Sequence, residues 1–178
     1  MRFAITTGAP SGSGGGNGLP LFGDFEIVMD QQEKTLAIGG QVVGGDNPVF
    51  IIAELGSNHD GKLDQAKALI DVAAATGCDA VKLQIPIAEE CYPPDTKFGE
   101  IYGDEDISDV IRGNEIPPDW IPILVQYGND RGLKIGASTD GFIGLKVMLE
   151  GGVDFIKIPS FTISHIPLLR EASAAGLP

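Results

Sequence analysis

The chain has 178 residues, is 43% hydrophobic, and carries 25 acidic against 12 basic residues for a net charge of -13. That length and apolar content allow one sizeable core, while the charge excludes a nucleic-acid or anionic-membrane surface, because neutralising phosphate takes clustered Lys and Arg. No apolar run reaches the roughly 20 residues of a membrane span and the N-terminus shows no basic region leading into an apolar core, so a cytoplasmic address is expected.

Residues 1–24 contain GAPSGSGGGNG, a Gly/Ser-rich composition that offers little apolar surface to offset ordering, and read as a flexible tail. A phosphate cradle is not indicated, since the Gly-Lys-Ser/Thr ending of a P-loop is missing. Over 25–47, FEIVMD and TLAIGGQVVGGDNPV are short apolar runs separated by turn formers, which predicts a β-hairpin. From 48 to 178 a strand and a helix alternate four times. VFIIAEL is the first strand, and Leu63, Ala66, Leu69, Ile70 and Ala73 then recur at helical spacing, with Gly77 as a stop. Cys78 follows, and AVKLQI is the second strand. The polar stretch from Ala88 to Glu115, containing Cys91 and GDEDISD, is longer than a plain connection and predicts a functional loop or an inserted helix. The two cysteines lack metal-ligand spacing and read as reduced thiols.

A helix beginning near Pro117 and Pro118 would carry Trp120, Ile123, Leu124 and Tyr127 on one stripe. LKIGAS, FIGLKVMLEGG, DFIKIPS and IPLLREASAAG complete the alternation. Such βα repetition implies a parallel sheet of the α/β class, and either a Rossmann-type sheet or a (β/α) barrel satisfies it.

Each strand carries a polar residue near its C-terminal end: Glu54, then Lys82 and Gln84, then Ser138, then Lys157 and Ser160. Lys82 and Gln84 are two apart and share a face. Strands of a parallel sheet are covered on both faces, so a buried charge there must be paired or bind a ligand, and ligands of α/β folds sit at this edge. The group suits an anion, with Glu54 supplying charge balance or proton transfer. Structural roles compete with this reading: Lys82 could pair with Glu54, and Ser138 or Ser160 could cap a helix. Asn58, His59, Asp60 and Gly61 occupy the first βα loop, where an ordinary turn is the alternative. His165 stands at the start of the fourth helix, and two separated histidines make no metal pair at ligand spacing.

PVFIIAELGSNHDGKLDQAKALIDVAAATGCDAVKLQ, LKIGAST and GGVDFIKIPSFTISHIPLLREASAAGLP together resemble the sialic acid synthase family. The resemblance implies a TIM (β/α)8-type barrel, of which about the first four βα units are present here. It also implies condensation of phosphoenolpyruvate with an N-acetylated hexose such as N-acetylmannosamine, using a divalent metal such as Mn2+, in a homodimer. Carried over by position, Lys82 and Ser138 would bind the phosphoenolpyruvate carboxylate, and Lys157 and Ser160 its phosphate. Glu54 would be catalytic, orienting the sugar or water and moving a proton, while Gln84 and Asn58 would line the pocket. The metal ligands are expected beyond Pro178, and little or no synthase activity is expected of the 178-residue chain alone. STDGF and KIPSFTISH depart from the family pattern in the substrate loops. A Schiff-base aldolase using Lys82 or Lys157, and a non-catalytic anion-binding half-barrel, are the alternatives.

Overall fold

The computed structural model of the chain describes residues 35–97, 99, 103 and 105–178, with two paired segments before them. In the first unit, Met1–Lys34, the two-residue strands β1 (Thr6–Thr7) and β2 (Phe25–Glu26) pair antiparallel. The tail expected over 1–24 otherwise lies outside the described residues.

The second unit, Thr35–Pro178, opens with the hairpin β3 (Leu36–Ile38) and β4 (Gln41–Val43), turned at Gly39 and Gly40, both at positive φ. FEIVMD is therefore not the first arm of this hairpin: both arms come from TLAIGGQVV, because the Gly-Gly pair supplies the tight turn inside that run. Asp79 fastens the hairpin and the segment after it, its carboxylate accepting from Gln41 Nε2 at 3.1 Å and from the Ile51 amide at 2.7 Å. These two bonds hold that carboxyl below the usual range.

Four parallel strands follow in sequential order: β5 (Ile52–Gly56), β6 (Ala80–Gln84), β7 (Lys134–Ser138) and β8 (Phe155–Lys157). The order contains no switch point, so right-handed crossovers carry the connecting helices to one face. These are α1 (Leu63–Ala75), α4 (Trp120–Asn129) and α5 (Phe142–Gly151), with α6 (Ile166–Ala174) after β8. Val81, Leu83, Ile135 and Ala137 point toward that layer and join Ile70, Ile121, Leu124 and Met148 in the main core.

The expected α4 stripe is corrected. Ile121, Leu124, Val125 and Gly128 are buried, whereas Ile123 is exposed, and the helix starts at Trp120 after the Pro117–Pro118 turn. Gly128 sets the rotation: an added Cβ would meet Ile135 Cδ1 at 2.3 Å, so the bare glycine is the point where helix meets strand. On the outer surface Arg131 lies over the Tyr127 ring at 3.4 Å and pairs with Asp71, tying α4 to α1.

The long excursion contains α2 (Ala88–Cys91) and α3 (Ile107–Arg112), an inserted helix as its length predicts. Two of its acidic residues act as internal acceptors. Asp106 caps α3 through the Ser108 amide at 2.8 Å and also accepts from the Asp95 amide at 2.8 Å; Glu115 accepts from the Ala88 amide at 2.7 Å. Among the described residues no helix is long and apolar enough to cross a membrane.

Candidate active site at the strand ends

Register and alternation build the site in two rows on the sheet face opposite the main helical layer. The lower row runs Glu54, Lys82, Gly136, Phe155, and the upper row Gln84, Ser138, Lys157. In the lower row Lys82 Nζ pairs with Glu54 Oε2, while Glu54 Oε1 accepts from the Gly56 amide at 3.0 Å. The Lys82 side chain is 11% exposed and that of Glu54 48%, so the pair is buried at one end and open at the other. Beside it the Phe155 ring lies over Gly136, where a Cβ would meet the ring at 2.2 Å. Phe155 thus forms an apolar floor, and only glycine leaves room for it.

The upper row opens into a cavity of about 740 Å³. Its polar lining is Ser57, Gln84, Asn114, Ser138, Asp140 and Lys157. Lys157 also borders a second cavity, of about 450 Å³, that reaches Glu54 and Lys82. It is exposed and makes no ion pair with any described residue, so its ammonium is open to a ligand. Ser138 is buried and caps no helix.

Two expected site residues stand elsewhere. Asn58 is exposed and turns its amide onto the Leu55 carbonyl at 2.8 Å, leaving Ser57 of the same loop to line the cavity. Ser160 is exposed at the start of a single 3-10 turn, Ser160–Thr162, whose neighbours Pro159 and Phe161 face the cavity. His165 caps α6, its Nδ1 accepting from the Leu168 amide at 3.1 Å. His59 is buried, with Nδ1 accepting from the Gly61 amide at 3.0 Å. Its Nε2 proton faces the Asn114 backbone without reaching hydrogen-bond geometry, and burial lowers the imidazole pKa.

The opposite wall of the cavity was hidden in the sequence. Ile107, Val110 and Ile111, spaced i, i+3, i+4 on α3, present an apolar face flanked by Tyr92 and Phe161. Glu90 fixes the rim by accepting from the Ile143 and Gly144 amides at 2.8 and 3.1 Å, which caps α5. Cys91 donates to Asp140 at 3.1 Å, and burial with that carboxylate pushes the thiol up to about 12, so it is no nucleophile. Among the described residues no three His, Cys, Asp or Glu side chains gather as a metal site, and both histidines have Nδ1 engaged. The described residues do not fit a divalent cation.

The model of the NeuB family matches residues 69–178, more than half of the chain and all of the sheet after β5. The chain belongs to the NeuB family. Its relatives include the spore coat polysaccharide biosynthesis protein SpsE of Bacillus subtilis (strain 168), 40% identical over 151 residues, covering 79% of this chain and 38% of that protein. The human N-acetylneuraminate-9-phosphate synthase is 31% identical over 148 residues, covering 78% and 40%. Among solved structures, the N-acetylneuraminic acid (sialic acid) synthetase of Leptospira borgpetersenii serovar Hardjo-bovis, in complex with citrate, aligns with a TM-score of 0.69 at 31% identity over 84% of this chain and 49% of that one. The chain thus spans about two fifths of the length of the curated NeuB relatives it matches.

Proposed function

We propose that this chain carries the phosphoenolpyruvate site of a sialic-acid-type synthase, which condenses phosphoenolpyruvate with an N-acetylated hexose such as N-acetylmannosamine and releases phosphate. The observation that carries the reading is Lys157: a cation with no ion pair among the described residues of a protein of net charge -13, standing in one row with Gln84 and Ser138 at the strand ends. Family membership and relatives named as sialic acid synthases support the reaction class.

In this reading Lys157 holds the phosphate, Ser138 and Gln84 receive the carboxylate, and Lys82 holds Glu54 in place at the edge of the site. C3 of phosphoenolpyruvate attacks the aldehyde carbon of the open-chain sugar, and the aldehyde oxygen takes up a proton. Water adds at C2, one of its protons passing by way of Glu54 to the oxygen of the former aldehyde; the bond from C2 to the phosphate oxygen then breaks as the remaining hydroxyl proton goes to the departing phosphate, leaving the 2-oxo acid. The reading takes no step through a metal: Mn2+ would need ligands other than the residues described. The sheet would be the first half of a (β/α)8 barrel, a reading its sequential strand order supports; the cytoplasmic homodimer is carried by the family resemblance alone. A Schiff-base aldolase is disfavoured for Lys82, whose nitrogen is engaged by Glu54.

Calorimetric titration of phosphoenolpyruvate into the wild type and Lys157→Ala tests the assignment. A charge-assisted contact is worth about 1.5–3 kcal/mol, so affinity should fall roughly tenfold to a hundredfold or more. A folded wild type that binds no phosphoenolpyruvate, or equal affinity in the variant, would overturn it.

A further inference from the structure

The cavity has room for more than a small anion. A three-carbon acid phosphate fills only part of about 740 Å³, a volume in the range of pockets that enclose drug-sized ligands. The remainder borders α3, where Val110 and Ile111 are only half-buried and Ile107 beneath them is 6% exposed.

This wall is held in place. Asp106 caps the helix, Arg112 reaches Glu89 at 3.2 Å, and Asn114 Nδ2 returns to the Val110 carbonyl at 2.8 Å. Asp106 and Glu89 are spent on these contacts, and Ile107, Val110 and Ile111 present an apolar surface to the cavity. An apolar wall opposite an anion site selects a ligand that is polar at one end and carries a compact apolar group at the other. In an N-acylated hexose every ring or chain carbon bears a polar substituent or lies beside one, so the acyl methyl is the apolar group.

We propose, building on the synthase reading, that the α3 face is the acyl-recognition surface of the acceptor site. Val110 and Ile111 receive the alkyl end of the N-acyl substituent and so determine which acyl sugars are accepted. Burying one added methylene is worth about 0.8 kcal/mol, or about fourfold in affinity.

The test titrates the 178-residue chain, in the presence of phosphoenolpyruvate, with N-acetyl-, N-propanoyl- and N-butanoylmannosamine, read by saturation-transfer NMR. The variant is Val110→Thr/Ile111→Thr, with circular dichroism confirming its fold. The wild type should saturate the acyl methyl most strongly and gain about fourfold per methylene; the variant should lose that gain and keep its affinity for phosphoenolpyruvate. A flat wild-type series, or the same gain in the variant, overturns the α3 assignment while phosphoenolpyruvate and sugar binding leave the synthase reading standing. A folded wild type that binds neither phosphoenolpyruvate nor any of the sugars overturns both.

Discussion

Gly136→Ala perturbs the floor of the site with a single carbon. The new Cβ would lie 2.2, 2.3 and 2.4 Å from three atoms of the Phe155 ring, against an ordinary contact of 3.4 Å or more. The ring must therefore move by about an ångström, yet Phe155 is 5% exposed and stands in the same row as Gly136 and Lys82. Overpacking of this kind costs about 1–3 kcal/mol, while replacing glycine inside a strand returns about 0.5–1 kcal/mol of backbone entropy. The net expectation is a loss of about 1–2 kcal/mol. Urea unfolding followed by the fluorescence of Trp120, the single tryptophan, measures it, with an unchanged m-value required for the comparison. Combining Gly136→Ala with Phe155→Leu should cost less than the sum of the two single changes, because the smaller side chain vacates the space the methyl needs. Additive costs, or a Gly136→Ala variant as stable as the wild type, would show that the ring does not rest on Gly136.

Two further outcomes follow from the same geometry. Glu90→Ala removes the carboxylate that accepts from two amides at the start of α5 and should lower stability by about 1–2 kcal/mol, measured in the same urea assay; no loss would mean water replaces the cap fully. Burial lowers the folded-state pKa of His59, so its contribution is present above the unfolded value of about 6.5 and is lost as pH falls through the folded one. Between pH 7 and 5 the wild type should therefore lose more stability than His59→Asn, whose amide oxygen can keep the bond to the Gly61 amide; parallel pH profiles would refute the linkage.

Alternation alone places Lys82 and Gln84 on one strand face, and their position near the strand ends marks a site, so these features are legible in the sequence. Which lysine is free is not. That depends on register, which sets Glu54 opposite Lys82 and places Lys157 beside Ser138, and register arises from pairing between strands far apart in the chain. The α4 stripe was misplaced for a similar reason: Trp120 and Tyr127 dominate any hydrophobic count, but the bare surface of Gly128 is what brings the helix onto Ile135. The apolar wall of α3 was masked by its acidic neighbours. Ile107, Val110 and Ile111 follow helical spacing within a charged stretch whose length allows a functional loop or an inserted helix, and Asp106 and Glu115 accepting backbone hydrogen bonds show which.

The same bonds reconcile an acidic chain with an anion site. Asp79, Glu90, Asp106, Glu115 and Asp154 each accept from at least one backbone amide, so much of the negative charge is fixed where strands and helices begin or where the excursion folds back on itself. Glu54 is turned toward Lys82 and the Gly56 amide, and Asp140 receives the Cys91 thiol. Lys157 stands outside these pairings at the end of its strand. An ammonium with no ion pair among the described residues attracts an anion at close range, while the diffuse negative field of the surface is screened within about 8–10 Å at physiological salt. Capture here is therefore a short-range property of the strand ends, independent of the sign of the net charge.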